Sequence, residues 1–412
     1  MKIVKPLALI MVLFLLSGCK VYYMGLRGRQ LIPVSDTATV TRVYFDRYGD
    51  LYPGTAVPID TNDLHIRLKS KDKKQASLKQ YFLTHPASMK ALREFYHASA
   101  GMNDPEAYQE VQGRLEEQAV KQVSDMVQAQ QAGRLVYLVH GLNDTRVDPE
   151  YKEMRKIITD RHYAADKKPV YVEIHWDSMN ARDTDGTKVI DIWKPALLNS
   201  RFISIAFRKL MTGVEQRVQV PEIVITHSLG AGLAFGALFN TVTKWKGFDL
   251  VWPEWDKEQL NALNLAPTPT GRIRIGVLAP AVPAEQTFQD FNERGPRRIN
   301  AADNHIDKVV IGYNRQDYAV SKQFLHIKLA GVYGSTSLGC NCNVFNEQVI
   351  PSVLADLAHK GYTDPSSLII QKEFKTPPRP NPPFYESGTT QHAWKFYMAQ
   401  QEIQFFLDQL FQ

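Results

Sequence analysis

Short apolar runs rich in β-branched residues alternate with helical patterns from Arg134 to the end of the chain. Such runs are typical of strands that are buried on both faces, and an intervening helix lets successive strands run parallel. The sequence therefore predicts an α/β fold with a mainly parallel sheet and helices on both faces. The predicted strands are Leu135–Val139, Val170–Ile174, Ile223–Thr226, Ile273–Leu278, Val309–Tyr313 and Leu368–Ile370.

Apolar residues at helical spacing predict the helices between and around these strands. Asp104 is the candidate N-cap of one of them, with Pro105 at its first position. Residues 19–130 are predicted to form an N-terminal extension, in which Val40–Phe45 is a strand and the helices pack on the core. The main domain then covers residues 131–412. The predicted helices are Ser77–Ala98, Asp104–Gln130, Pro149–Ala164, Pro195–Met211, Leu229–Val242 and His392–Leu410.

The N-terminus has the order of regions found in a secretion signal. Lys2 and Lys5 precede the apolar run Leu7–Leu16, and small residues follow up to Cys19. The run is shorter than the roughly twenty residues that a permanent membrane span needs. We therefore expect residues 1–18 to be removed as a signal peptide.

The segment Leu16–Cys19 reads LSGC and resembles the lipobox of bacterial lipoproteins. The resemblance implies that Cys19 is lipidated and holds the mature protein at a membrane, because two or more acyl chains anchor a protein firmly. The residue after Cys19 is Lys20. In enterobacterial lipoproteins an Asp at this position is a signal for retention in the inner membrane, so a Lys there implies the periplasmic face of the outer membrane. An ordinary cleaved signal with an incidental cysteine is the alternative.

Composition excludes some classes of function. The formal net charge of +6 includes the two signal lysines and is mild, so it gives no reason to propose binding of nucleic acid, which needs a clustered basic stripe. Besides Cys19 the chain has only Cys340 and Cys342, which either close a small disulfide ring or remain two thiols. Two thiols alone do not complete a four-coordinate metal site.

A serine lies where a predicted strand turns sharply into a predicted helix. Residues 223–232 read IVITHSLGAG, with Ser228 at the turn. A strand, a tight turn with serine at its apex and a helix form a nucleophile elbow. This geometry exposes the serine oxygen at a helix N-terminus, where backbone N–H groups favour negative charge.

These residues resemble the α/β-hydrolase superfamily, especially the lipases and esterases with Gly-His-Ser-Leu-Gly at the elbow. Thr226 replaces the first glycine, which is a departure from that pattern. The sequence His140-Gly141-Leu142-Asn143 after an early strand resembles the oxyanion loop of the superfamily. The resemblance implies that the backbone amides of Leu142 and Leu229 form the oxyanion hole. His140 itself is also compatible with a turn histidine bonded to the backbone.

The superfamily places its triad in the chain order Ser, acid, His. Asp317 follows the predicted strand Val309–Tyr313 and is the candidate acid. His392 follows a proline-rich loop and opens the last predicted helix. This position matches that of the superfamily's catalytic histidine, which lies on the loop before the last helix, so His392 is the candidate base. The less favoured alternatives are Asp290, Asp303 and Asp307 for the acid, and His326 and His359 for the base.

The resemblance implies an acyl transfer that uses no metal or organic cofactor, with a carboxylic ester, lipids included, as substrate. Two insertions are candidates for shaping access to the site: residues 244–271, which are rich in tryptophan, and residues 321–367. The first is either an apolar lid or the aromatic core of a small subdomain. A non-catalytic envelope protein that keeps the hydrolase scaffold for binding or assembly is the alternative function.

Overall fold

A computed structural model provides the structure of the chain. The residues that it describes are 21–23, 38–60, 65–67, 77–142, 147–163, 168–178, 189–239, 272–283, 287, 293–294, 297–298, 306–315, 317–321, 323–324, 327–328, 337–339, 350–359, 364–375 and 392–412.

Seven strands form one open sheet in which every pair of neighbours is parallel. The sheet strands are β1 (Val40–Phe45), β2 (Leu135–Val139), β3 (Val170–Trp176), β4 (Glu222–His227), β5 (Ile273–Leu278), β6 (Ile306–Tyr313) and β7 (Ile369–Glu373). Their order across the sheet is β7-β6-β5-β4-β2-β3-β1. Strands β2, β3 and β4 are buried along their whole length, as their apolar sequences require. The chain therefore belongs to the α/β class.

The helices cover both faces of this sheet, as predicted. They are α1 (Leu78–Thr84), α2 (Pro86–Phe95), α3 (Asp104–Ala129), α4 (Val147–His162), α5 (Val189–Glu215), α6 (Gly230–Phe239), α7 (Tyr318–Ser321), α8 (Ile350–His359), α9 (Trp394–Met398) and α10 (Glu402–Phe411). Helices α3, α5 and α6 pack on one face, where Tyr137 and Val224 point, and α4, α9 and α10 pack on the other, where Val136 and Ile225 point. Successive residues of a strand alternate between these two cores.

Short elements outside the sheet complete the described structure. Three antiparallel pairs of two- or three-residue strands are Val21–Tyr23 with His65–Arg67, Glu293–Arg294 with Arg297–Arg298, and Gln323–Phe324 with Ile327–Lys328. Single 3₁₀ turns lie at Ser337–Gly339 and Pro365–Ser367.

Two helices that the sequence predicted as continuous are broken. The predicted helix Ser77–Ala98 divides at His85, because the following Pro86 disfavours a helical conformation at the residue before it. The predicted helix His392–Leu410 divides between α9 and α10, where the Ala399 N–H bonds to the carbonyl oxygens of both Lys395 and Tyr397. Both of the resulting helices, α9 and α10, carry buried residues.

The N-terminal extension differs from its prediction in two respects. Its strand, β1, has the predicted bounds but is an edge strand of the main sheet and pairs in parallel with β3, whereas the sequence alone placed it in an extension outside the main domain. The N-cap of α3 is Asn103 and not Asp104. The Asn103 side chain accepts from the Glu106 N–H while the Glu106 carboxylate accepts from the Asn103 N–H, which is a capping box.

Several predicted features lie outside the described residues: the signal peptide 1–18, Cys19, Cys340, Cys342 and the candidate lid 244–271. Within the described part of the chain, no helix is both long and apolar enough to span a membrane.

A buried carboxyl group lies at the amino end of β4. Glu222 is almost completely buried, and the Tyr137 hydroxyl donates to its Oε1 over 3.5 Å. Burial raises the pKa of Glu222 to about 8, and the negative charge of Glu215 adds to this shift, while the bond from Tyr137 opposes it. The folded protein therefore holds a proton that the unfolded chain releases near pH 4 to 5.

Because Glu222 keeps its proton to a higher pH in the folded protein than in the unfolded chain, we expect the free energy of unfolding to depend on pH. The contribution of Glu222 is fully present below the unfolded pKa and is lost as the pH rises through about 8. Glu222→Gln mimics the protonated form at every pH. As the pH is raised from about 5 to about 9, we therefore expect the thermal midpoint of the native protein to fall by a few degrees relative to the midpoint of Glu222→Gln. The exposed Glu117→Gln is the control and should follow the native curve. Parallel curves for native protein and Glu222→Gln would contradict the prediction.

Candidate active site

The sheet has a switch point at β2. From β2 the chain continues to β3 on one side and then returns to β4 on the other side. The loops that follow β2 and β4 therefore leave adjacent strands at the same, carboxyl, edge of the sheet. Open parallel sheets bind their ligands in the crevice at such a point.

Ser228 follows β4 directly and has a left-handed backbone, with φ 53°. Hydrogen bonds on both sides hold this strained conformation. The Ser228 N–H donates to the Leu278 carbonyl oxygen (2.9 Å), and the Ser228 carbonyl oxygen accepts from the Ala281 N–H (3.0 Å) and the Ala231 N–H (3.2 Å). A non-glycine residue in this region costs about 1–3 kcal/mol and persists only where its surroundings determine it. Its retention at the turn between β4 and α6 is the geometry of a nucleophile elbow.

Two glycines let the loops after β2 and β4 meet. A Cβ atom on Gly230 would lie 2.5 Å from the His140 carbonyl oxygen and 2.8 Å from that of Val139. A Cβ atom on Gly141 would lie 2.8 Å from the Cβ atom of Ser228. The backbone of each glycine thus lies directly against the opposite loop, where no larger residue fits without a shift.

The structure brings together the three side chains that the sequence suggested as a triad. His392 Nε2 lies 2.7 Å from Ser228 Oγ, and His392 Nδ1 lies 2.7 Å from Asp317 Oδ2. A carboxylate accepts, so Nδ1 carries the proton and Nε2 is free to accept from the serine hydroxyl. The Asp317 side chain is fully buried, whereas 18% of the His392 side chain is exposed. The His392 ring is therefore accessible from solvent, whereas the Asp317 carboxylate is not.

Asp317 is held by donors on each of its oxygens. The N–H groups of Ala319 and Val320 donate to Oδ1 over 3.0 and 3.3 Å. Oδ2 accepts from the Tyr397 hydroxyl over 3.3 Å as well as from His392. Asp317 lies after β6, at the carboxyl edge, because β6 and β4 are both parallel to β5. The alternative Asp307 lies near the amino end of β6 and pairs with Arg272 over 3.0 Å.

His140 fixes the conformation of the loop after β2. The Trp176 N–H donates to His140 Nε2 (3.2 Å), so the proton is on Nδ1, which donates to the Gly141 carbonyl oxygen (2.9 Å). The indole N–H of Trp176 donates to the His140 carbonyl oxygen over 2.8 Å. His140 is therefore a buried histidine bonded to the backbone. Leu142 follows in this loop, and Leu229 follows Ser228 at the start of α6, where the first N–H groups of a helix lack intrahelical partners.

The sequence analysis treated His227 only as part of the elbow motif, but the structure gives it contacts of its own. His227 Nε2 lies 2.6 Å from the His392 carbonyl oxygen. Burial lowers the pKa of His227 well below its usual range. The neighbouring His392 and His140 lower this pKa further, whereas the hydrogen bond to the His392 carbonyl oxygen raises it. A histidine before the serine was visible in the sequence, but its partner was not.

Thr226, the departure from the superfamily pattern, is completely buried at the end of β4. Among the described residues, none forms a hydrogen bond with its Oγ1. The close approach of the two loops is made by Gly230 and Gly141, so a β-branched residue is accommodated at position 226.

The remaining alternatives have different positions. His359 is the last residue of α8, and His326, Asp290 and Asp303 lie outside the described residues. Within the described ranges, no three His, Cys, Asp or Glu side chains cluster in a way that could hold a metal ion.

A comparison with known proteins finds no matching family model, curated protein or solved structure. A fold of the α/β class hosts many functions. Function is therefore inferred from the geometry of the site.

The contact at Gly230 leads to a prediction about stability. Gly230→Ala places a methyl group against the carbonyl oxygens of His140 and Val139, so we expect a loss of about 1–3 kcal/mol in the free energy of unfolding, measured with denaturant. Gly113→Ala is the matched control. Gly113 lies within α3 with open space around its Cα, so alanine there should stabilise by about 0.5–1 kcal/mol. Equal effects of the two variants would show that β2 and α6 are not in close contact.

Proposed function

We propose that the chain is a serine hydrolase that transfers an acyl group through Ser228. The observation that carries this proposal is the chain of hydrogen bonds from Ser228 Oγ through His392 to Asp317, with 2.7 Å at both steps. A hydroxyl is a weak nucleophile until an adjacent base removes its proton. The base here has a correctly placed nitrogen and a buried carboxylate behind it.

The proposed reaction starts with attack of Ser228 Oγ on the carbonyl carbon of an ester. His392 Nε2 takes the serine proton and then gives it to the leaving alkoxide, while Asp317 holds the ring and stabilises the imidazolium. Ser228 is now acylated. Water, deprotonated by His392, attacks the acyl carbon, and the carboxylic acid leaves as Ser228 Oγ regains its proton.

The negative oxygen of each tetrahedral intermediate needs donors beside Ser228. We propose the backbone N–H groups of Leu142 and Leu229 for this role. Support comes from the position of Leu229 at the start of α6 and from the contact of the Gly141 backbone with Ser228. Losing one such donor typically costs about 3–4 kcal/mol in the transition state.

The more specific fold that we propose is that of the α/β-hydrolases. It is supported by the left-handed Ser228 between β4 and α6 and by the order of the three side chains: Ser228 after β4, Asp317 after β6, and His392 before α9. Carboxylic esters, lipids among them, are the proposed substrates. The proposed location is the cell envelope, with lipidated Cys19 as anchor at the periplasmic face of the outer membrane.

A covalent probe tests the nucleophile without knowledge of the substrate. An alkyl fluorophosphonate should label the full-length protein on the peptide that contains Ser228, and Ser228→Ala should abolish the label, since an unactivated hydroxyl reacts far more slowly. Ser99→Ala removes an exposed hydroxyl and should be labelled like the native protein. Mass spectrometry of the labelled peptide identifies the site. Labelling that survives in Ser228→Ala would place the reactive serine elsewhere, and a native protein that is never labelled would favour a non-catalytic scaffold.

The triad partners should behave as one unit. On a p-nitrophenyl ester that the protein hydrolyses, Ser228→Ala and His392→Ala should each lower kcat by at least about 10⁴-fold, and the double variant should lose little more. His359→Ala, which changes a rejected alternative, should stay within a few-fold of the native rate. A His392→Ala protein with near-native kcat would refute the assignment of the base and leave that of Ser228 standing.

A further inference from the structure

The imidazole of His227 lies where three parts of the proposed site meet. His227 is the last residue of β4, directly before Ser228, and is buried. Its Nε2 is 2.6 Å from the carbonyl oxygen of His392, and its Nδ1 faces the loop after β2, since a Cβ atom on Gly141 would come within 3.1 Å of it. The His227 ring therefore contacts the main chain of His392, the proposed base, and lies beside the loop after β2, which is proposed to contribute to the oxyanion hole.

The contact with His392 has a defined direction. A carbonyl oxygen only accepts, so His227 Nε2 carries the proton and donates. Because the pKa of His227 is well below its usual range through burial, the ring is neutral near pH 7 and Nδ1 has no proton. The ring therefore has one donor, and that donor is used on the backbone of His392.

Aromatic neighbours hold the ring in this orientation. The Trp394 ring stacks on it with centroids 5.5 Å apart and an angle of 22° between the planes, and Tyr397 meets it at 61° with centroids 6.3 Å apart. Both neighbours belong to α9, which begins two residues after His392. The ring thus contacts His392 and the helix that follows it, although β4 and α9 are far apart in the chain.

We propose that His227 is a positioning residue that fixes the main chain of His392 relative to the strand carrying Ser228. This inference rests on the proposed function. The bond from Nε2 to the His392 carbonyl keeps the backbone of the base in place, and a fixed backbone keeps His392 Nε2 at hydrogen-bond distance from Ser228 Oγ. His227 itself transfers no proton.

The expected size of the effect follows from the sensitivity of catalysis to position. A misplacement of about 1 Å in a reacting group can cost on the order of 10²-fold in rate. Without the donor, His392 retains its bond to Asp317 but loses the contact that fixes its main chain from the β4 side. The rate of the chemical step should fall, while binding of a small reagent should hardly change.

Three variants of the full-length chain separate the donor from the ring. His227→Gln places an amide nitrogen close to the position of imidazole Nε2, His227→Asn places one close to that of Nδ1, and His227→Phe keeps an aromatic ring but has no donor. Each is treated with an alkyl fluorophosphonate, and kinact and KI are measured separately. In this reaction Ser228 Oγ bonds to phosphorus, fluoride leaves, and the serine proton passes to His392 Nε2.

We expect kinact to fall about 10- to 100-fold in His227→Phe and His227→Asn, with KI within about 2-fold of the native value. His227→Gln should recover kinact to within about 3-fold. Thermal unfolding of each variant is measured in parallel. If His227→Phe does not fold, the Gln and Asn variants carry the test, because they bear the same amide group and differ by one methylene.

Two outcomes overturn the inference: a native kinact in His227→Phe or His227→Asn, or a kinact in the Gln variant as low as in the Asn variant. The second result would mean that His227 contributes packing and not a directed hydrogen bond. These two outcomes are interpreted only if the fluorophosphonate labels the native protein on Ser228. A native protein that is not labelled refutes the proposed function instead, so the two failures are distinguishable.

Discussion

The contact between the Gly230 backbone and the carbonyl oxygen of His140 is the constraint on which the site depends. A single methyl group at position 230 would come within 2.5 Å of that oxygen, so α6 can start where it does only because the residue is glycine. The same approach places the loop after β2 against Ser228. Parallel neighbours bring both loops to one edge of the sheet, at the point where the strand order switches.

Strain at Ser228 is sustained by the neighbouring strand. Its left-handed backbone is fixed by hydrogen bonds to Leu278 and Ala281, which lie at and after the end of β5. The elbow therefore does not depend on its own sequence alone. It is formed by three adjacent loops, and a change in the register of β4 against β5 would remove its support.

Among the described residues, hydrogen bonding gives His140, His227 and His392 different roles. His140 accepts at Nε2 from the Trp176 N–H, His227 donates from Nε2 to a carbonyl oxygen, and His392 has one nitrogen towards a carboxylate and the other towards a hydroxyl. Burial disfavours a charge on His227, so in the proposed reaction His227 would not compete for the proton that passes between Ser228 and His392. The tautomers follow from what each nitrogen contacts.

The sequence by itself determined the strands, the presence of helices on both faces, and a serine at a strand-to-helix turn, because burial and turn formation depend on neighbouring residues. It also indicated Asp317 and His392, though only through the chain order of a resembling superfamily. Tertiary structure decided that β1 joins the sheet, that the last helix breaks before Glu402, and that His227 reaches the carbonyl oxygen of His392. The first and last of these features depend on strand order and on contacts between residues more than a hundred positions apart, and local propensity does not specify which distant groups will meet.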